Sequence, residues 1–164
     1  MKVAGSDHGI EILSFPPGEE VIAALTAYCM NKAIHAGSFT ALGAVREVIL
    51  AWYDVSSKSY RTQHVQEKLE IAGVTGTISL HEEKLIVHAH GVFSDQQMHT
   101  MAGHINSMVV SGACELTLWR LKDTIMRTYN QTVGLALMEG DGVPASDNAQ
   151  QSHIFGAAPA HPGR

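Results

Sequence analysis

Between Ser38 and Leu121 the chain is read most simply as consecutive β-strands separated by turn residues, with little room for helix. Phe39 to Tyr53 carries Leu42, Val45, Val48, Ile49, Leu50 and Trp52, long enough for a bent strand with Gly43 as a bulge. Asp54-Val55-Ser56-Ser57-Lys58 is turn-like. Tyr60 to Val65 and Lys68 to Leu80 read as two further strands, with Gly73 and Gly76 marking a bend or a close backbone approach. His81-Glu82-Glu83-Lys84 reads as a hairpin turn into the strand Leu85 to Phe93. Met98 to Met108 is read as a loop, Val109 to Leu121 as the last clear strand, and Thr124 to Met138 as weakly β with a break at Asn130-Gln131.

Ahead of this run lie a short strand, Gly9 to Phe15, and one amphipathic helix. Pro16-Pro17-Gly18 ends the strand, and Glu19-Glu20 opens the helix where the dipole favours acids. Val21, Ile22, Leu25, Tyr28, Cys29 and Ala33 recur at helical spacing, and Gly37 is the expected stop. Residues 1–9 read as a flexible leader and 10–139 as one domain; 140–164, rich in Gly, Pro and Ala, read as a disordered tail holding the solvated His153 and His161. The expectation is an α+β domain, mostly antiparallel sheet with one main helix.

Composition narrows the function. The net charge of −5, with 11 Lys and Arg scattered and never in a run, argues against a whole-chain binder of phosphate backbones. Charged residues reach only 16 %, which suits a chain that covers part of its surface by self-association. Cys29 and Cys114 read as buried free thiols, and a reducing cytoplasm is the expected compartment. The sequence offers neither a secretory signal, nor a bilayer-spanning stretch, nor a nucleophile elbow, nor a phosphate-binding glycine loop.

The chemistry-bearing pattern is His88-Ala89-His90 inside the apolar run Leu85–Phe93. On a strand, residues i and i+2 leave the same face, so the two imidazoles project side by side. A returning loop can add His104, and three imidazoles with one position free is the ligand set of an open zinc site. The competing reading is a polar cluster at a packing contact, since the chain has 10 histidines. Glu70, in the apolar Leu69-Glu70-Ile71, is a candidate to orient a ligand or act as general base; the alternative is an outward strand residue. Glu115 raises the same pair of readings. Arg46 either holds an anionic substrate group or pairs with Glu47 or Glu70. Asp95 caps a turn, His99 is expected in solvent, and His35 is read as a partner for the helix C-terminus.

Taken in order, Gly43-Ala44-Val45, Leu69-Glu70-Ile71 with Gly76-Thr77-Ile78, His88-Ala89-His90-Gly91 with Ser94-Asp95, Gly103-His104 and Cys114-Glu115-Leu116 resemble the plants and prokaryotes conserved (PPC or PCC) domain, over roughly Ile10 to Glu139. The resemblance implies a small α+β domain assembling as a homotrimer, with metal, apparently zinc, on the histidines matching His88, His90 and His104. In plants the domain follows an Arg-Gly-Arg-Pro hook that enters the DNA minor groove, and stand-alone microbial members are commonly labelled DNA-binding by that association. This sequence contains no Arg-Gly-Arg-Pro, and it reads Ala102-Gly103-His104 and Asp95-Gln96-Gln97 where the family often has Gly-Gly-His and Asp-Gly. Two functions follow as expectations. One is a homotrimeric PPC domain with a three-histidine metal site. The other is a small zinc-dependent enzyme acting on a small anionic or carbonyl substrate through metal-bound water, with Glu70 or Glu115 as base and Arg46 against the substrate.

Overall fold

In the computed structural model, which describes residues 1–140, nine strands and one helix follow one another along the chain. They are β1 (Lys2–Asp7), β2 (Ile10–Phe15), α1 (Val21–Asn31), β3 (Gly37–Asp54), β4 (Ser59–Val65), β5 (Leu69–His81), β6 (Lys84–Ser94), β7 (Thr100–Arg120), β8 (Arg127–Asn130) and β9 (Leu135–Met138). Seven strands form one sheet in the order β1-β2-β7-β6-β5-β3-β4, and a further β7–β3 ladder closes β3, β5, β6 and β7 on one another. The strand ladders are antiparallel, and β8 and β9 form a separate hairpin.

The core lies inside this closure and beneath α1. Phe15, Phe39, Phe93, Leu116 and Leu118 are fully or almost fully buried there. The helix adds Val21, Leu25 and Cys29, at the i, i+4, i+8 spacing of one face. Glu20 is its N-cap, accepting from Ile22 N at 3.2 Å and Ala23 N at 2.6 Å. The same carboxylate accepts from Met108 N at 2.9 Å, which ties the helix start to β7. Glu82 and Glu83 take φ of 48° and 65°, as a two-residue turn between right-twisted strands requires, and so join β5 to β6. Gly43 is the expected bulge, with register shifts on both of its ladders.

Three expectations are corrected. Residues 1–9 are not a leader, because Lys2–Asp7 pair with Ser14–Ile10 as the outer strand of the sheet. Every residue of β1 is exposed, so backbone ladder bonds hold it and no alternation betrays it. Met98 to Met108 is not a loop. After the turn closed by Asp95, β7 starts at Thr100 and runs 21 residues, because β6 offers it one edge and β3 the other. The helix stops at Asn31, six residues before Gly37: Ala33 adopts φ of 51° and Ile34 N returns to Cys29 O at 2.9 Å. His35 therefore lies past the helix end and does not serve its C-terminus. The tail read at 140–164, with His153 and His161, falls beyond Gly140 outside the described residues.

Candidate metal centre

The three histidines meet because of ladder register. His88 and His90 leave the same face of β6, and His104 of β7 stands directly opposite His90. The Nε2 atoms of His88 and His90 are 3.3 Å apart, and the ligand atoms of all three residues lie within 4.8 Å of one another. Two ligands at 2.0–2.1 Å from a tetrahedral ion stand about 3.3–3.4 Å apart, so this pair already has the spacing that zinc requires. His88 and His104 are half-buried and His90 is exposed, which leaves the cluster open on one side.

The surroundings favour neutral imidazoles, the form that binds metal. Burial, reinforced by the charges of His104, Arg127 and His90, pushes His88 down to about 4. Burial and then His90 hold His104 below the usual histidine range. The donor set is nitrogen only, and among the described residues no carboxylate joins it. Three imidazole ligands suit zinc and related divalent transition ions. Tyr60 of β4 stacks near His104, with ring centroids 5.5 Å apart.

Glu70, Glu115 and Arg46 are not brought to the histidines. Glu70 is exposed and pairs with Ser94, four residues along β6 from His90, which is roughly 13 Å of strand. Glu115 is exposed opposite Ser14 and Leu42, eleven residues along β7 from His104. Arg46 is the extra residue of a bulge between Val45 and Glu47 and points to solvent. Neither Glu47 nor Glu70 pairs with it; Glu47 binds His64 at 2.7 Å instead. Asp95 caps its turn through Gln97 N and His99 N, and His99 is exposed, both as expected.

The residue sequence reasoning missed is Arg127. The β8–β9 hairpin folds back across the histidine strands and is pinned at both ends. At its tip Tyr53 Oη donates to Val133 O at 2.8 Å and Lys58 Nζ to Gln131 O at 2.6 Å. At its base Leu80 N donates to Ile125 O at 2.8 Å. Arg127 then reaches β5, donating from Nε to Ser79 Oγ at 2.7 Å, and braces its own hairpin from Nη1 to Ala136 O at 2.9 Å. Its Nη2 stands 3.5 Å from His88 Nδ1. Period-two alternation puts Arg127 and Tyr129 on one face of β8, but nothing local says which strand that face meets.

Residues 4–122 match the model of the Plants and Prokaryotes Conserved (PCC) domain. The chain belongs to that family. A protein from Bacteroides thetaiotaomicron, provisionally named DNA-binding, is 30 % identical, with 82 % of this chain and 94 % of that one aligned at a TM-score of 0.80. A metal-containing protein from Archaeoglobus fulgidus is 27 % identical over 85 % of this PCC chain and 100 % of its own, at a TM-score of 0.76. A plant- and prokaryote-conserved protein from Pyrococcus horikoshii is 21 % identical over 85 % and 98 %, at a TM-score of 0.75, and shows the shared fold. No curated protein matches the chain. Among the described residues, no helix is long and apolar enough to cross a membrane.

Proposed function

We propose that this PCC protein is a zinc-binding homotrimer whose three-histidine centre presents an open coordination position to a small ligand. One observation carries the metal: His88, His90 and His104 converge from two paired strands with Nε2 atoms already 3.3 Å apart in one pair. The half-buried placement of His88 and His104 supports it, because burial disfavours the protonated imidazole, which cannot ligate. The similar protein from Archaeoglobus fulgidus is described as metal-containing, which fits the same reading. Zinc, once bound, supplies Lewis acidity at the open position.

The trimer is supported by exposed apolar groups that share the outward side of neighbouring strands. Ile10 faces Trp119 across β2 and β7, and Ile12 and Leu42 flank Thr117 and Glu115 beside them. Direct binding to DNA fits less well, even though relatives carry that name, because the charge of −5 per chain triples on trimerisation.

The enzyme reading requires a proton-transfer group within reach of the centre, and Glu70 and Glu115 stand too far along their strands to serve in the chain as folded. The ligand-binding reading needs none.

The test is elemental analysis of the purified protein beside His88→Ala and His104→Ala. About one zinc per chain in the parent, lost in both variants, is the expected result. A parent that takes up no metal after incubation with zinc overturns it.

A further inference from the structure

Beside the histidines lies a cavity of about 260 Å³ lined by Tyr60, Val87, His88, His104, Arg127 and Leu135 among others. Its one charged group is Arg127, and that guanidinium has no carboxylate partner among the described residues. Ser79 Oγ and Ala136 O occupy its Nε and Nη1, so its position is fixed. Its Nη2 makes only contacts at the outer limit of hydrogen bonding, 3.5 Å to Thr77 Oγ1 and 3.5 Å to His88 Nδ1.

The His88 contact is the informative one. When Nε2 of a neutral imidazole binds a metal, the proton sits on Nδ1, and ligand histidines almost always give that proton to an acceptor, often a carboxylate. Here Nδ1 faces another donor, Arg127. Two donors that face each other across the edge of a cavity are satisfied together by one external anion. A carboxylate fits the planar guanidinium. A single cation against the aliphatic walls of Ile86, Val87, Leu135 and Leu137 suits one negative charge and a short apolar tail. The volume is below that of pockets for drug-sized ligands, so the molecule is small.

Resting on the zinc reading above, we infer that this cavity binds a small aliphatic monocarboxylate, held jointly by Arg127 Nη2 and the Nδ1–H of metal-ligating His88. Arg127 takes the anion-binding role that the sequence suggested for Arg46.

The test is a titration of the zinc-loaded protein with propionate and with its neutral isostere propionamide, followed by methyl NMR. Propionate is expected to shift the Leu135, Leu137 and Val87 methyls saturably, with propionamide at least tenfold weaker. Arg127→Gln is expected to weaken propionate at least tenfold with its zinc content unchanged, while Arg46→Gln matches the parent. Equal binding of propionamide, shifts elsewhere on the surface, or full affinity in Arg127→Gln overturns the proposal. Should Arg127→Gln fail to fold, the propionate-to-propionamide ratio in the parent decides alone. A parent that loads no zinc yet binds propionate through Arg127 refutes the metal reading and upholds the carboxylate pocket. Zinc loading without selectivity for propionate does the reverse.

Discussion

Gly43→Ala is the substitution whose cost follows most directly from the backbone. Gly43 sits where β3 bulges against β7, with φ of +136°, a conformation that residues with a Cβ rarely adopt. A Cβ there would stand 2.2 Å from Ala113 O and 2.8 Å from Cys114 Cα. Both obstructing groups are backbone, so no rotamer change relieves them. Cys114 itself is fully buried, and moving its strand disturbs Leu116 beside it in the core. Backbone strain of about 1–3 kcal/mol and overpacking of about 1–3 kcal/mol together give a loss of roughly 2–6 kcal/mol. For a chain of this size that lowers the melting temperature by roughly 5–20 °C. Gly112→Ala, two residues before Cys114 on the same strand, is the control, because a Cβ there meets nothing within 4 Å. Calorimetric melting of parent and both variants decides the matter. A Gly43→Ala protein melting within about 2 °C of the parent, or no lower than Gly112→Ala, refutes the reasoning.

Three further outcomes are expected. Glu11 is buried at 6 % exposure and accepts from Tyr28 Oη at 3.0 Å and Arg120 Nη1 at 3.3 Å. Glu11→Ala should cost about 2 kcal/mol in urea unfolding, the partial exposure of Arg120 keeping it below the loss for a fully buried pair. Cys29 and Cys114 are sealed in the core, and burial pushes their thiols up to about 12 and about 11. Iodoacetamide at mildly alkaline pH should therefore leave both unmodified in the native protein and label both on denaturation, as mass spectrometry would show. In metal-free protein, the depressed His88 makes the unfolded chain bind more protons once the pH falls below about 6.5. The stability His88 contributes is thus present above that pH and is lost as the pH falls towards about 4. Melting temperatures of the parent should fall more steeply across that window than those of His88→Gln.

The histidine pair was legible because a strand has period two and its flanks are apolar: His88 and His90 had to share a face if Leu85–Phe93 was a strand. The Glu82-Glu83 hairpin and the Gly43 bulge were legible for a similar reason, since turn and bulge chemistry is local. His104 does stand with the pair, but on a strand and not on the expected loop, because Thr100, Gly103, Asn106 and Ser107 dilute the alternation that β6 and β3 impose from either side. β1 has no buried face, so only its ladder to β2 defines it. Arg127 was missed because it reaches His88 across 39 residues of sequence, through a hairpin anchored by Tyr53, Lys58 and Leu80 rather than by any pattern of its own. For Glu70 and Glu115 the sequence left two readings, a carboxylate serving the site or an outward strand residue, because an apolar stretch does not say which face each side chain takes; the structure puts both on the solvent side of the period.

Anomalous diffraction at the zinc absorption edge, from crystals of the zinc-incubated protein, tests the central claim most directly. One peak per chain, about 2.0–2.1 Å from Nε2 of each of His88, His90 and His104, is the predicted result. A crystal with no peak among these three side chains, or with zinc held by other residues, would contradict it.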